Sequence, residues 1–109
     1  MNQINVLLVD DEPLFLEAIR ESFADISDLH LDCVQSAAEA LEKLVHTPFD
    51  IIVSDYAMPE MDGIALLKKI RTFSSIPFIL FTGEGNEDLV IEAINSGVTY
   101  YLKKGDENE

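Results

Sequence analysis

Several residue types are scarce in this 109-residue chain, and each shortage excludes a class of protein. Cys33 is the single cysteine, so no internal disulfide can form and a reducing, cytoplasmic setting is expected. No apolar run reaches the roughly 20 residues of a transmembrane helix, so the sequence predicts no membrane span. No basic segment precedes the apolar run 4–9, so no signal peptide is expected.

Basic residues are also few, since seven lysines and arginines stand against 21 aspartates and glutamates, for a net charge of −14. A phosphate backbone or an anionic membrane surface would be repelled by this charge. The sequence therefore excludes nucleic acid and membrane as partners. Most of the acidic residues are expected on a solvated surface, but a few directly follow apolar runs and need a separate explanation.

What the chain does contain is a regular alternation of strand and helix patterns. The predicted strands cover residues 4–9, 29–34, 49–54, 77–81 and 98–102, and the predicted helices cover 13–24, 36–46, 63–73 and 86–96. The second strand alternates in polarity, which indicates an edge position. Short connections between alternating strands and helices are typical of a doubly wound α/β fold with a parallel sheet, here one domain over residues 1–109.

Local patterns also predict how the helices begin and which side chains face the core. Ser36, Asp62 and Asn86 are candidate N-caps, with Glu39 completing a capping box after Ser36. The expected inward-facing residues of the second and fourth helices are Ala40, Leu41, Leu44, Val45, Leu89, Val90, Ala93 and Ile94.

Polar residues stand at successive strand ends, where a doubly wound sheet binds its ligands. The strand 49–54 ends abruptly at Asp55. The residues at the strand ends are Asp10, Asp11, Asp55, Thr82, Lys103 and Lys104. Any one of them alone would be a turn residue, a cap or a surface charge, but their joint occurrence indicates a site. Neither His30 nor His46 belongs to this edge, so neither is expected to be a ligand or an acceptor.

The chemistry of these groups favours phosphoryl transfer. Two carboxylates ~4 Å apart repel each other by about 4 kcal/mol at an effective dielectric of 20. Mg²⁺ would relieve that repulsion, and an all-oxygen donor set suits it. A central carboxylate can act as a nucleophile and form an acyl phosphate, while lysine and threonine stabilise the transferred oxygens. The sequence therefore predicts a Mg²⁺-dependent site with Asp55 as the phosphoryl acceptor.

The sequence resembles the receiver domain of two-component response regulators over almost its whole length. The segments that carry the resemblance are Val9–Pro13, Asp55 with Met58–Gly63, Phe81–Gly83 and Gly97–Lys104. The resemblance implies a flavodoxin-like sheet with strand order 2-1-3-4-5 and Mg²⁺ as cofactor. It also implies a signalling domain that is not an enzyme on other molecules and catalyses only its own phosphorylation and dephosphorylation.

The resemblance assigns the acceptor and the metal ligands. Asp55 would take a phosphoryl group from the phosphohistidine of a sensor histidine kinase or phosphotransfer protein. Asp11, Asp55 and the backbone carbonyl of Ala57 would bind Mg²⁺ directly, and Asp10 would act largely through water. Ala57 offers no side-chain partner to an attacking water, whereas Glu84 could.

The resemblance also assigns the switch. Thr82 would donate a hydrogen bond to a phosphoryl oxygen and shift inward, and Tyr101 would be the switch aromatic that follows it. Lys104 corresponds to the family lysine. These changes would alter a partner-binding surface that includes the helix 86–96. The sequence does not identify the output partner that this surface would bind.

Two departures from the family pattern stand out. Gly105 follows Lys104 where the family usually has proline after a cis peptide, so this bond is either trans, or cis at a cost of roughly 3–4 kcal/mol. The segment Gly105–Glu109 is too short and acidic for the family's fifth helix, which is therefore expected to be missing or truncated. The chain would then be part of a longer regulator or hybrid kinase, or a stand-alone relay.

Two alternative functions compete with this one. A phosphatase or phosphotransferase of the haloacid-dehalogenase type needs a second aspartate two residues after the nucleophile, where this chain has Ala57, and it needs a cap domain. A receiver-like module that binds partners without phosphorylation is disfavoured by the acidic pair, Thr82 and Lys104, although Gly105 keeps it open. Mg²⁺ binding separates that module from the main interpretation.

Overall fold

The computed structural model describes residues 3–83 and 85–105, and within them the strands and helices alternate throughout. The elements are β1 (Ile4–Val9), α1 (Pro13–Ser22), β2 (Leu29–Val34), α2 (Ala37–His46), β3 (Ile51–Ser54), α3 (Gly63–Arg71), β4 (Phe78–Thr82), α4 (Glu87–Asn95) and β5 (Tyr100–Lys103). The described part of the chain thus holds five strands and four helices. The acidic tail at 106–109 lies outside the described residues.

All strands join one parallel sheet in the order β2-β1-β3-β4-β5. The predicted fold class and strand order are therefore confirmed, and β2 does lie at an edge. The chain runs from β1 outward to β2 and then returns to β3 on the other side of β1. This reversal opens a crevice beyond the carboxyl ends of β1 and β3, where doubly wound folds bind their ligands.

The main core lies on one face of the sheet. Side chains of α2, α3 and α4 pack there against alternate strand residues such as Leu7, Ile52 and Leu80. Ile19 of α1 and Phe23, the residue that follows the helix, lie over the other face, so helices cover both faces as predicted. Beside α1 an apolar groove of about 500 Å³ remains on that face, lined by Ile4, Val6, Leu8, Ile19, Phe23, Leu29, Leu31, Ile51, Val53, Phe81 and Leu102. No helix among the described residues is long and apolar enough to cross a membrane.

The three predicted N-caps are present. Side-chain oxygens of Ser36, Asp62 and Asn86 each accept a hydrogen bond from the backbone N–H three residues on, at 3.1, 2.8 and 2.8 Å. The capping box differs in one detail, because the Glu39 carboxylate accepts from the N–H of Gln35, one residue before the cap, at 2.8 Å. The helix starts are therefore set by short-range hydrogen bonds that the sequence pattern encodes.

Replacing Ser36 by alanine is expected to lower the free energy of unfolding by about 1 kcal/mol, because the N–H of Glu39 loses its acceptor. Urea unfolding of the Ser36→Ala variant measures this loss as a lower midpoint at an unchanged slope. Ser36→Asn keeps a side-chain acceptor and should unfold near the wild-type midpoint. Equal losses in both variants would show that the cap contributes nothing.

Two residues predicted to face the core do not. Val45 in α2 is 77% exposed and Ile94 in α4 is 62% exposed. Each lies five residues after a buried residue, Ala40 or Leu89, and therefore about 140° around the helix from it. The apolar pattern is wider than the buried face, so it includes these two side chains at its solvent border.

The fifth strand begins at Tyr100, two residues later than predicted. The N–H of Val98 donates to the carbonyl of Ala93 and the N–H of Gly97 donates to that of Ile94, both at 3.1 Å. Gly97 has a φ of 95°, which favours glycine, and the pair of bonds forms the Schellman motif that ends α4. The backbone around Val98 therefore closes the helix before the sheet pairing starts.

Candidate functional site

Three carboxylates converge beyond β1 and β3. One oxygen from each of Asp10, Asp11 and Asp55 lies within 4.8 Å of the other two. Asp10 is 1% exposed and Asp55 is 9% exposed, whereas Asp11 is partly buried. Because these donors are all carboxylate oxygens, held close and mostly out of water, they fit a hard divalent cation such as Mg²⁺.

Backbone hydrogen bonds hold two of these carboxylates in place. Oδ1 of Asp10 accepts from the N–H of Glu12 at 3.0 Å, and Oδ1 of Asp55 accepts from the N–H of Tyr56 at 2.7 Å. The N–H of Asp55 donates to the carbonyl of Val9 at 2.9 Å, which continues the β1–β3 pairing by one residue. The sheet thus places Asp55 beside Asp10, and the turn after each strand orients its side chain.

Lys104, which follows the edge strand β5, brings a positive charge to the same place. Its Nζ donates to Oδ2 of Asp10 at 2.8 Å and lies 3.6 Å from Oδ2 of Asp55. The N–H of Lys104 donates to the carbonyl of Thr82 at 2.8 Å, so the lysine backbone is anchored at the end of β4. The Lys104 side chain is only 20% exposed, which strengthens the attraction of its ammonium to the carboxylates.

The peptide bond that follows Lys104 could be cis or trans on the sequence alone, and the structure distinguishes the two. Among the described residues no peptide bond is cis, so the bond between Lys104 and Gly105 is trans. Gly105 has a φ of 90°. The ammonium of Lys104 reaches Asp10 with this trans backbone.

Thr82 and Tyr101, the predicted switch pair, lie on neighbouring strands. Thr82 is buried at the end of β4 and Tyr101 is partly buried against the core. In the β4–β5 register Tyr101 pairs with Leu80, two residues before Thr82. Both side chains therefore belong to the same face of the sheet, while Tyr100 is exposed.

The converging groups border an open cavity of about 320 Å³, lined by Asp11, Glu12, Asp55, Ala57, Thr82, Gly83 and Lys104. A cavity of this size and polarity suits a small anion such as a phosphoryl group. Lys103 takes no part in it, and its methylene groups lie against Gly85 instead. Glu84, the suggested partner for an attacking water, lies outside the described residues.

The two histidines lie away from the cavity, as the sequence predicted. Nε2 of His30 is 3.3 Å from a carboxylate oxygen of Asp32 on β2. Nε2 of His46 is 3.1 Å from a carboxylate oxygen of Glu42 on α2. Both histidines are exposed at the protein surface and neither lines the cavity, so neither takes part in the site.

Phe15 is a site residue that the sequence analysis did not identify. Its ring centroid lies 4.0 Å from Nζ of Lys104. The apolar residues at 15, 19 and 23 recur at spacing four within the predicted helix 13–24, and this pattern by itself indicates only an amphipathic helix whose apolar side faces the core. The position of Phe15 four residues after Asp11, in the first turn of the helix that follows the acidic pair, was the available signal.

Gly63 packs against the backbone of the acceptor loop. Its N–H donates to the carbonyl of Tyr56 at 2.8 Å. A Cβ atom at this position would overlap with the carbonyl oxygen of Asp55 and would lie 2.9 Å from Cδ1 of Leu80. The start of α3 therefore approaches β3 so closely that only glycine fits.

Comparison with known proteins identifies the family and agrees with this fold. The sequence matches the family model for the response regulator receiver domain over residues 6–109. It is 34% identical over 104 residues to the response regulator Rre1 of Synechocystis sp., covering 93% of this chain but only 45% of that protein. It is 32% identical over 105 residues to the chemotaxis protein CheY1 of Helicobacter pylori, covering 93% of this chain and 85% of CheY1.

A solved structure shows the same relationship. The receiver domain of an HD domain-containing protein from Pseudomonas fluorescens Pf-5 superposes with a TM-score of 0.87 at 30% identity. The superposition covers 94% of this chain and 83% of that one. The matched family model spans nearly the whole chain, and CheY1 is itself covered over most of its length. The chain therefore belongs to the family of response regulator receiver domains.

Proposed function

We propose that Asp55 accepts a phosphoryl group from the phosphohistidine of a sensor histidine kinase or a phosphotransfer protein, in a reaction that depends on Mg²⁺. The observation that carries the proposal is the convergence of three carboxylate oxygens within 4.8 Å beside the ammonium of Lys104. The step forms a P–O bond to a carboxylate oxygen of Asp55 and breaks the P–N bond. The electron pair of that bond returns to the imidazole nitrogen of the donor.

The chain's own groups orient and stabilise the transfer. The Tyr56 N–H orients the Asp55 carboxylate. Lys104 supplies a point charge for the phosphoryl oxygens, and the Thr82 hydroxyl donates a hydrogen bond to one of them. Asp10, Asp11, Asp55 and the carbonyl of Ala57 would hold Mg²⁺, with Asp10 acting largely through water. When bound, the ion neutralises charge on the carboxylates and the incoming phosphoryl group.

Phosphorylation would be read out as a change at the surface. Thr82 shifts toward the phosphoryl group, Tyr101 follows it, and α4 presents the altered surface to an output domain or protein. The domain catalyses only its own phosphorylation and dephosphorylation. We assign residues 1–109 to this one receiver domain. A cytoplasmic setting is part of the proposal, supported by the single Cys33.

The two alternative functions are less well supported. Ala57 occupies the position where a phosphatase of the haloacid-dehalogenase type needs a second aspartate, and its small side chain only borders the cavity. A binding module that works without phosphorylation would not need the ammonium of Lys104 within hydrogen-bonding distance of Asp10 and ion-pair distance of Asp55. Mg²⁺ binding distinguishes this module from the proposed function.

The test of the metal site uses Asp11. Lys104 forms ion pairs with Asp10 and Asp55, and among the described residues no ion pair involves Asp11. Mg²⁺ is expected to raise the melting temperature of the wild type, since binding at about 100 times the dissociation constant adds about 2.7 kcal/mol to the free energy of unfolding. In Asp11→Asn most of that increase should be lost.

The control is Asp25→Asn, which changes an exposed carboxylate in the α1–β2 loop and should respond to Mg²⁺ like the wild type. Intact mass after incubation with acetyl phosphate then tests the transfer, which should require Mg²⁺. Binding of Mg²⁺ without any mass increase would contradict the phosphoacceptor role. Neither binding nor mass increase would favour the phosphorylation-independent module.

A further inference from the structure

We propose that Phe15 is a positioning residue for Lys104, because the face of its ring holds the ammonium beside Asp55. Nζ of Lys104 lies 4.0 Å from the Phe15 ring centroid and 5.8 Å from that of Phe81. Both distances are within the roughly 6 Å over which a ring face attracts a cation. The catalytic consequence of this contact rests on the proposed function of Asp55, whereas the contact itself does not.

The ammonium needs such a partner because the lysine side chain is long. Its four-carbon stem has many rotamers, so the position of Nζ is set by the groups that it contacts. Two of these groups, Asp10 and Asp55, are carboxylates whose charge is shared with a metal ion or altered when a phosphoryl group arrives. The ring of Phe15 carries no charge and takes no part in the reaction. It can therefore hold the ammonium in the same place before and after transfer.

The fold fixes the Phe15 ring more firmly than it fixes the lysine. Phe15 lies in the first turn of α1, which begins at Pro13 only two residues after Asp11. Its ring packs against that of Phe81 with centroids 5.8 Å apart and an interplanar angle of 53°, a tilted arrangement that aromatic pairs favour. Helix α1 and strand β4 thus place two packed aromatic rings, Phe15 and Phe81, beside the ammonium of Lys104.

The contact can be tested without any phosphoryl donor. The ring current of Phe15 should shift the NMR signals of the Lys104 ε-methylene protons upfield in the wild type. In Phe15→Leu these signals should return toward the values of an exposed lysine. Phe23→Leu is the matched control, because Phe23 also belongs to the α1 region but lies against the apolar groove. It should leave the Lys104 signals unchanged.

The kinetic test varies the electron density on the face of the Phe15 ring while keeping the shape of the ring. Replacing Phe15 by mono-, di- and trifluorophenylalanine removes electron density from the ring face stepwise while keeping its size. The rate of phosphorylation by acetyl phosphate should fall at each step, reaching a loss of about 3- to 10-fold in the trifluoro variant and in Phe15→Leu. A role limited to packing would leave the fluorinated series at the wild-type rate.

The two measurements separate this proposal from the proposed function. Unchanged Lys104 signals in Phe15→Leu would overturn the positioning role, and so would a flat fluorinated series in a protein that is phosphorylated normally. If the wild type accepts no phosphoryl group but its Lys104 signals depend on Phe15, the ring holds the ammonium and the function of Asp55 is what fails. If Phe15→Leu does not fold, the fluorinated variants carry both tests.

Discussion

Replacing Asp55 by asparagine is expected to abolish the incorporation of a phosphoryl group. The amide of asparagine keeps nearly the same shape. It lacks the negative charge that makes the carboxylate oxygen of Asp55 a nucleophile, so it cannot attack phosphorus. The measurement is the intact mass of the protein after incubation with acetyl phosphate and Mg²⁺. The wild type should gain the mass of one phosphoryl group, and Asp55→Asn should gain none.

The control for this variant is Asp62→Asn, a few residues further along the same loop. Asp62 caps α3 through Oδ1, and asparagine caps helices equally well, so the fold and the phosphorylation should be retained. A mass increase in Asp55→Asn would show that another side chain is the acceptor. If neither variant gained mass, the cause would be a disturbed loop, and the result would not identify Asp55 as the acceptor.

Replacing Gly63 by alanine is expected to have the largest effect on stability. The added Cβ would overlap with the carbonyl oxygen of Asp55 and crowd Cα of Tyr56 at 3.0 Å, and backbone cannot move aside as a flexible side chain can. We expect the free energy of unfolding to fall by about 3 kcal/mol or more. Urea unfolding measures this loss.

Gly83→Ala is the matched control for stability, because among the described residues no atom outside its chain neighbours lies within 4 Å of a Cβ built there, and its φ is not in the left-handed region. Its free energy of unfolding should stay near that of the wild type. Equal losses in the two variants would mean that crowding at Gly63 is not the cause. Because the overlap involves the acceptor's own backbone, Gly63→Ala should also slow phosphorylation more than its lost stability explains.

The parts of the fold that could be predicted from the sequence depend on neighbours in the chain. The apolar run that stops at Asp55, the caps at Ser36 and Asn86, and the glycine that ends α4 are each encoded within a few residues. Alternation of strands and helices then leaves few topologies, because parallel connections need crossovers. The grouping of Asp10, Asp11 and Asp55 at one edge followed from that topology.

The predictions from sequence that were wrong concern burial and a strand boundary, which depend on how the elements pack. Val45 and Ile94 continue an apolar pattern, yet they are exposed because the neighbouring elements cover less of each helix than the pattern spans. The start of β5 moved to Tyr100 because Val98 bonds back to α4. Periodicity shows which side chains are apolar, but only the approach of other elements determines how many of them are buried.

The sequence by itself determined which chemical groups stand at the strand ends, since those groups follow the apolar runs that form the strands. The tertiary structure alone decided how they meet. Lys104 reaches Asp10 at 2.8 Å through a trans backbone, and the ring of Phe15 lies 4.0 Å behind its ammonium. The reason is physical: these contacts join Asp10 and α1, near the start of the chain, to Lys104, which follows the last strand, and only the folded sheet brings such distant parts of the chain together.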